Sequence, residues 1–397
     1  MNTRNKIGFI SEISAQPHIG GGVTLNKILG DNFAKIDWFC KTIHFPSEKP
    51  VVYERATSFC FPYWGFEQKL RKFLGCRLAY YFAHGEMCQN FHRKFVTKSV
   101  EAALGNELSE TKILTSPNSR HAFSVIDALW RKHRFNYVTW IMDDHMVKWK
   151  SGEWVYDAQN FKLLQTHLLN ARVVYVISDA MGQFYKEKFG VESHVLFSPC
   201  EMVPKPAVLN QEQGRPYRLV YFGSVGRWQN DALEFLLPSL NSGLAEIDIY
   251  TRSPELLPES FRALPTCRIC EPVPPSSITQ KSSEYDAMLL PVSFKDELKN
   301  MSYFNVATKF SDCIGAQIPT IIIGPEDSIM VKHAREYGAF FVIDANDPSK
   351  IEDALAKTRD PVQQTKLYGG RVRANLNLCS KLIMDDRWKI AADWLFE

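Results

Sequence analysis

The first candidate for chemistry is a glycine-rich turn near the start of the chain, Gly20-Gly21-Gly22, which follows a short apolar run and opens a helical pattern. Glycines let backbone N–H groups approach an anion closely, and a helix N-terminus favours negative charge. The turn is therefore a candidate phosphate site. Its glycines do not match G-x-G-x-x-G, so a dinucleotide fingerprint is absent, and a flexible turn is the alternative interpretation.

A second candidate phosphate site lies near the middle of the chain. There an apolar run enters the turn Gly223-Ser224-Val225-Gly226, and Arg227 follows at once. The backbone amides of such a turn can cradle a phosphate, and the forked guanidinium of Arg227 can neutralise its charge. The alternative is a tight turn between a strand and a helix with a surface arginine.

A third candidate is the helical pattern at 307–316, which contains Thr308, Lys309 and Asp312. Lys309 and Asp312 are three residues apart, so both side chains lie on one face of the helix. A lysine near a helix start can contact a diphosphate, and a carboxylate can accept hydrogen bonds from ribose hydroxyls. A surface ion pair between the two residues is the alternative.

Asp143-Asp144-His145 directly follows another apolar run and could supply a general base or orient a sugar hydroxyl. A helix cap with a solvated histidine is the alternative. The segment is not a D-x-D metal motif, and Glu246-Ile247-Asp248 lies inside a predicted strand. We therefore predict no metal site.

The elements that must position these residues are short apolar runs that alternate with helical patterns. Strands are predicted at 6–10, 36–39, 112–115, 137–142, 172–177, 194–197, 218–222, 246–250, 287–290, 320–323 and 340–343. Helices are predicted at 119–132, 157–170, 231–240, 307–316 and 327–337. Such alternation indicates parallel βαβ units in doubly wound α/β domains, whose ligands bind beyond the carboxyl ends of the strands.

The alternation breaks at 202–217, which is rich in proline and polar residues and lacks periodicity. This composition indicates a linker. The sequence therefore predicts one Rossmann-like domain at 1–201 and a second at 218–375. The amphipathic tail at 376–397 is predicted to be a helix that packs back across the domains.

Composition excludes several function classes. The net charge of the 397 residues is only +3, which gives no global argument for nucleic acid binding. Nine cysteines, an odd number, indicate reduced thiols rather than a disulfide framework or a zinc site. A polar start and the absence of an apolar stretch of about 18 residues predict a cytoplasmic protein without a membrane span.

Segments 172–199, 218–237 and 308–338 resemble, in order and spacing, the corresponding segments of family-4-like GT-B glycosyltransferases. The resemblance is strongest over 172–355. It implies two Rossmann-like domains that face each other across a cleft. The N-terminal domain would hold a saccharide or lipid-linked acceptor, and the C-terminal domain a nucleotide-sugar donor. It also implies transfer with retention of configuration, without a metal or a cofactor.

The resemblance carries over to individual residues on the donor side. Gly21 and Gly22 match first-loop glycines beside the donor phosphates, Arg227 matches a phosphate-binding arginine, and Asp312 takes the place of a ribose-binding glutamate. Three positions depart from the family pattern, which has a lysine, a glutamate and a glycine there: Ala232, Phe304 and Gln317. Lys309 would supply the missing positive charge.

On the acceptor side, Asp143, Asp144 or His145 would lie beside the reacting sugar or the acceptor hydroxyl. Trp228-x-x-Asp231 and Asp143-Asp144 resemble a polysaccharide-biosynthesis branch of these enzymes. An aspartate or histidine base would also suit inversion. A nucleotide-sugar epimerase of the same fold and a non-catalytic nucleotide-sugar-binding protein stay open as alternatives.

Segment 61–98 interleaves aromatic side chains with seven cations and only two acidic residues, Glu67 and Glu86. Aromatic and basic side chains together suit an anionic bilayer surface or a lipid-linked acceptor. A peripheral contact with the inner face of the membrane is therefore one prediction. The alternative is that the aromatics are helix core and the cations face solvent.

Overall fold

The structure is a computed structural model that describes residues 6–13, 15, 20–42, 57–60, 86–201, 204–206, 214–344, 347 and 349–397. The chain divides into two compact units. Unit 1 comprises Met1–Leu196 and Asp386–Glu397, and unit 2 comprises Phe197–Asp385. Within the described residues, no helix has the length and apolar character needed to cross a bilayer.

Unit 1 is built on a parallel sheet. Its strands are β1 (Ile7–Ser11), β2 (Trp38–Lys41), β3 (Thr57–Cys60), β4 (Lys112–Ser116), β5 (Tyr137–Ile141), β8 (Val173–Val176) and β9 (His194–Val195), with a separate antiparallel hairpin of β6 (Lys148–Lys150) and β7 (Glu153–Val155). The seven strands lie in the order β3-β2-β1-β4-β5-β8-β9. Strands β1, β2 and β5 are buried along their whole length, which explains their continuous apolar sequences.

The helices of unit 1 cover this sheet. Within the described residues, the α-helices that lie wholly in this unit are α1 (Gly20–Leu29), α2 (Glu86–Leu104), α3 (Arg120–His133), α4 (Ala158–Asn170) and α5 (Asp179–Phe189). Helix α3 buries Phe123, Val125 and Ile126 among others, because its apolar residues recur at helical spacing. Helix α5 begins where the Ser178 side chain accepts a hydrogen bond from the Met181 amide.

Unit 2 repeats the plan with a six-stranded sheet. Its strands are β10 (Tyr217–Phe222), β11 (Ala245–Tyr250), β12 (Cys267–Cys270), β13 (Ala287–Pro291), β14 (Thr320–Ile323) and β15 (Phe341–Ile343). They lie in the order β12-β11-β10-β13-β14-β15, and all pairs are parallel. The prediction of two doubly wound parallel units is confirmed.

The α-helices of unit 2 include several single turns. They are α6 (Asn230–Leu233), α7 (Leu237–Asn241), α8 (Glu259–Arg262), α9 (Ile278–Ser282), α10 (Lys299–Phe304), α11 (Thr308–Gly315), α12 (Ile329–Tyr337), α13 (Ser349–Thr358), α14 (Pro361–Ala374) and α15 (Lys381–Phe396). The continuous helix predicted at 231–240 is wrong: a 3₁₀ turn, Glu234–Leu236, separates α6 from α7. Pro238 explains the break, since it lacks the N–H that a continuous helix would require.

The tail is not one helix from 376 onward. A π-helical turn, Asn375–Cys379, precedes α15, and Ser380 between them has extended backbone angles. From Asp386 onward α15 belongs to unit 1. There the Tyr175 hydroxyl donates a hydrogen bond of 2.8 Å to the Arg387 carbonyl.

A buried ion cluster fixes the amino ends of β10 and β13. Asp286 accepts hydrogen bonds of 2.8 and 2.9 Å from the two terminal nitrogens of Arg215. It also accepts one of 2.9 Å from Arg359 and one of 2.8 Å from the Arg218 amide. Burial by itself would raise the pKa of Asp286, but the bonds from Arg359, the Arg218 amide and Arg215 outweigh it and lower the pKa.

Replacing Asp286 by Asn should lower the free energy of unfolding of unit 2 by about 3–5 kcal/mol at neutral pH, because two arginines lose a buried partner. A carboxyl with a lowered folded-state pKa stabilises above its unfolded pKa, near 4, and this contribution is lost as pH falls through the lowered value. The difference in free energy of unfolding between Asp286→Asn and the wild type should therefore become smaller at acidic pH.

Urea denaturation at neutral pH and at about pH 3.5 measures this difference. The control is Asp353→Asn, which removes an exposed pair with Lys357 and should change stability by less than about 0.5 kcal/mol. An equal, small effect of both substitutions would contradict the role given to Asp286.

Candidate functional site

The turn after β10 has a backbone that only glycine adopts easily. Gly223 has φ +136° and Gly226 has φ +146°, in the region that L side chains rarely enter. The Gly226 amide donates a 2.9 Å hydrogen bond to the Asn230 side chain. Ser224 is exposed between the two glycines. The turn therefore lies open at the carboxyl end of the strand, as predicted.

Lys309 of α11 packs against this turn. Its Nζ donates a hydrogen bond to the Tyr221 hydroxyl and lies 4.3 Å from the Tyr221 ring centroid. A Cβ atom on Gly223 would lie 2.7 Å from the same Nζ. The Tyr221 hydroxyl in turn donates a 2.5 Å hydrogen bond to the Ser224 carbonyl. The structure thus brings Lys309 together with Gly223 and Ser224.

Arg227 is exposed beside the turn, with its guanidinium 5.6 Å from the Trp228 ring centroid. The Ser293 amide, in the loop after β13, donates a 3.1 Å hydrogen bond to the Trp228 carbonyl. Asp231 accepts bonds of 3.0 Å from the Ser293 hydroxyl and 2.8 Å from the Phe294 amide. The loop after β13 therefore holds the segment that carries Arg227, a contact that sequence analysis did not find.

Helix α11 presents the other donor-side candidates. Thr308 is its first residue, and Asp312 is half-buried one turn beyond Lys309. The far end of α11 is held by Arg371, whose guanidinium donates to the carbonyls of Ala316 and, at 3.0 Å, Ile318. Burial lowers the pKa of Arg371 to about 10. This buried cation accordingly holds the segment that directly follows α11.

Phe304 is 1% exposed and packs edge-to-face on Tyr303. The position where the family pattern has a glutamate is therefore occupied by a buried aromatic side chain.

Cys267 and Cys270 stand at C-x-x-C spacing on the edge strand β12, which sequence analysis overlooked. Across the part of the chain that the structure describes, no three His, Cys, Asp or Glu side chains group as a metal site would require.

In unit 1, Asp144 holds the loop after β5. One carboxylate oxygen accepts from the amides of Met146 and Val147, at 2.9 and 3.2 Å. The other accepts from the hydroxyls of Tyr156 and Tyr185, at 2.5 and 3.0 Å. The side chain is buried, so Asp144 has the contacts of a structural residue.

Asp143 and His145, on either side of Asp144, are more open. Asp143 is half-buried and accepts a long 3.4 Å hydrogen bond from the Asn118 amide group, and His145 is exposed. Asn118 is buried, and its Oδ1 has no hydrogen-bond partner within the described ranges. The carboxyl ends of β4 and β5 therefore share a polar cluster that contains Asn118, Asp143 and His145.

Glu12, which sequence analysis missed, lies in the same cluster. Its two oxygens accept hydrogen bonds from the Asn118 backbone N–H, at 3.0 Å, and from the Ser119 hydroxyl. Burial raises the pKa of Glu12, and the bonds from Ser119 and Asn118 and the charge of His145 only partly offset this. The available signal was an acidic residue two positions after the first predicted strand.

Gly21 and Gly22 lie in the first turn of α1, in unit 1, whereas the other donor-side candidates belong to unit 2. A Cβ atom on Gly21 would lie 2.8 Å from Ile13 Cδ1 and 3.3 Å from Met142 Sδ. Gly22 is buried. Gly21 therefore allows α1 to pack closely on the loops after β1 and β5.

Comparison with solved structures identifies the fold. Sucrose-phosphate synthase from Thermosynechococcus elongatus aligns over 99% of both chains with 13% identity and a TM-score of 0.65. HepE from Anabaena, solved with UDP, aligns over 98% of this chain and 100% of its own, with 11% identity and a TM-score of 0.62. The lipopolysaccharide outer core galactosyltransferase WaaB aligns over 94% and 99%, with 12% identity and a TM-score of 0.53.

These structures share the GT-B fold, so the predicted fold class is confirmed and the chain has the GT-B fold. No protein-family model matches the chain, and no curated protein matches it in sequence.

Replacing Gly223 by Ala should weaken the affinity of the protein for inorganic pyrophosphate at least 10-fold, because the new Cβ would displace Lys309 from the turn. Calorimetric titration with pyrophosphate measures the change. The matched control is Gly243→Ala, which strains a glycine at φ +71° with no atom within 4 Å of the new Cβ. Equal affinities of both variants would contradict the role of the turn.

Proposed function

We propose that the protein is a glycosyltransferase that moves a sugar from a nucleotide-sugar donor to a saccharide or lipid-linked saccharide acceptor. The observation that carries this proposal is the glycine turn after β10 with Lys309 packed against it and Arg227 beside it, in a chain with the GT-B fold. The solved HepE complexes contain UDP and UDP-glucose, which supports a nucleotide-sugar donor here.

On the donor side, glycosyl transfer builds negative charge on the leaving diphosphate. Groups that are held in place before the reaction stabilise such charge best. The Gly223 amide already donates a 2.9 Å hydrogen bond to the Tyr250 carbonyl, so the Ser224 amide would contact the diphosphate. Lys309 and Arg227 would supply the positive charge. Asp312, one helical turn beyond Lys309, would accept from the ribose hydroxyls, with Thr308 at the helix start. Since the protein supplies its own cations, the proposed reaction needs no metal.

On the acceptor side, Asp143 and His145 would lie beside the reacting sugar or the acceptor hydroxyl. Asp144 would position both by holding the loop, because its oxygens already accept hydrogen bonds from two amides and two tyrosines. Glu12 would act through Asn118, which contacts both carboxylates. We propose retention of configuration from the resemblance, and NMR of the first-formed product would test it.

The test of the proposed function is a thermal-shift screen over UDP, GDP, ADP, CMP and dTDP sugars, followed by transfer assays with saccharide and lipid-linked acceptors. A ligand at 100-fold its Kd should add about 2.7 kcal/mol of stability. Transfer should persist in EDTA. Turnover of the donor without any acceptor would indicate an epimerase, and binding without turnover a non-catalytic protein. We further propose that the activity serves surface polysaccharide biosynthesis in the cytoplasm.

Replacing Arg227 or Lys309 by Ala should each weaken binding of the stabilising nucleotide sugar at least 10-fold, because each change removes a charge-assisted contact worth about 1.5–3 kcal/mol. Calorimetric titration of the purified variants measures this. Arg262→Ala removes a cation that pairs with Glu259 on α8 and serves as the matched control. Unchanged affinity in both variants would sink the proposed donor site.

Substitution of Asp143 should affect catalysis, whereas substitution of Asp144 should affect stability. Asp143→Asn should lower kcat about 100-fold or more while the free energy of unfolding changes by less than about 0.5 kcal/mol. Asp144→Asn should lower that free energy by about 2 kcal/mol or more, because buried donors lose a charged acceptor. Steady-state kinetics and urea denaturation on both variants provide the measurement. The reverse pattern would contradict these roles.

We propose that α2 carries a peripheral contact with an anionic membrane surface. Phe91 is 74% exposed and Phe95 54% exposed, and the exposed Lys94 and Lys98 lie on the same helix face. Apolar rings with flanking lysines suit the boundary between headgroups and acyl chains. Residues 61–85 of the predicted membrane segment lie outside the described residues, so the proposal rests on α2 alone.

Flotation with anionic liposomes tests this contact. The wild type should float at low salt and less at physiological salt, since each lysine near the surface contributes about 1 kcal/mol. The double change of Phe91 and Phe95 to Ser, or of Lys94 and Lys98 to Glu, should reduce flotation. Lys162→Glu, an exposed position on α4, is the control. Absence of flotation at either salt would refute the contact.

A further inference from the structure

A polar groove runs along the helices α2, α3 and α4 of unit 1. It has a volume of about 360 Å³. Its floor is the outward stripe of α3 that includes Arg120 and Asp127, and its walls include Arg93 of α2 and Gln159 of α4. A ligand pocket of a few hundred cubic ångströms holds a molecule the size of a sugar unit.

The charges of the groove favour an anion. Within the described part of the chain, the Arg93 guanidinium has no ion pair or hydrogen bond, and Arg120 donates to the neutral Gln159 side chain. The acidic residue in the lining, Asp127, pairs through one carboxylate oxygen with Arg131 at 2.8 Å, and its other, buried oxygen has no hydrogen-bond partner within the described residues. Two arginines therefore face the groove without a carboxylate of their own, and an arginine fork suits a carboxylate or a phosphate.

The neutral lining suits a sugar ring. Asn90, Ser124 and Gln159 present amide and hydroxyl groups, which donate to and accept from sugar hydroxyls. Leu163 adds an apolar wall that can contact the C–H face of a ring.

The groove also begins beside the proposed acceptor site. Arg120 is the first residue of α3 and directly follows Ser119, which contacts Glu12. Gln159 is in the first turn of α4. The carboxyl edge of the unit 1 sheet therefore leads into the groove, so that an extended acceptor bound at the edge could continue along α3.

We propose that this groove binds an anionic sugar unit of the acceptor, one whose charge is a carboxylate or a phosphate. The assignment of the ligand to the acceptor rests on the proposed function. The binding of an anionic sugar by Arg93 and Arg120 does not, and it can be measured without transfer.

Calorimetric titration with glucuronate, glucose 6-phosphate and glucose tests the proposal. At least one of the two anions should bind at least 10-fold more tightly than neutral glucose, and the better of the two identifies the charged group. Arg93→Gln and Arg120→Gln should each weaken the affinity for the anion at least 10-fold. Asp127→Asn should increase this affinity, because it removes a negative charge from the lining. Lys188→Gln, an equal loss of charge at an exposed position on α5 outside the groove, should leave anion binding unchanged.

Equal binding of glucose and the anions, or unchanged anion binding in folded Arg93→Gln and Arg120→Gln, overturns the proposal. Thermal unfolding establishes that the variants fold, and Asp127→Asn tests the groove even if an arginine variant does not. Titration with UDP distinguishes a failure of the proposed groove from a failure of the proposed glycosyltransferase function. Arg93→Gln should bind UDP as the wild type does, whereas failure of the wild type to bind any nucleotide would count against the proposed function alone.

Discussion

The constraint on which the structure depends is that all strands within each of the two sheets run parallel. Parallel strands need crossover connections, which place helices on the sheet faces and bring every strand's carboxyl end to one edge. The loops after β10 and β13 therefore become neighbours although they are distant in sequence. The Ser293–Trp228 and Asp231–Phe294 hydrogen bonds then stiffen that edge. A rigid edge can present Arg227 and the glycine turn in a fixed geometry.

At that edge a lysine packs against a glycine. Lys309 can approach the turn because Gly223 has no Cβ. The Tyr221 hydroxyl and ring stabilise the positive charge of Lys309 through a hydrogen bond and a cation–π contact. Arg371 holds the segment directly after α11 by binding the carbonyls of Ala316 and Ile318. Helix and turn are thus held independently, so a cation can remain beside the turn before any ligand arrives. Such preorganisation is what stabilisation of a leaving diphosphate requires.

The edge of unit 1 shows how environment divides roles among similar side chains. Asp144 is buried with its oxygens occupied, Asp143 is half-buried with a long contact, and Glu12 is buried with a raised pKa. Asn118 connects Glu12 to Asp143 and keeps one oxygen without a partner inside the described chain. The same functional group therefore holds a loop at one position and lies more open to solvent at the next.

The sequence alone determined the doubly wound fold, most strands and the glycine turn, because apolar periodicity and turn chemistry are local properties. It failed at the edge strands β3 and β12, and at the break before Pro238, where local patterns are weak or were overlooked. Only the tertiary structure brought Lys309 to Tyr221, 88 residues away. Only the tertiary structure showed that Asp144 is buried with its oxygens occupied, whereas the adjacent Asp143 is half-buried. Burial and hydrogen bonding depend on long-range packing, which spacing along the chain does not encode.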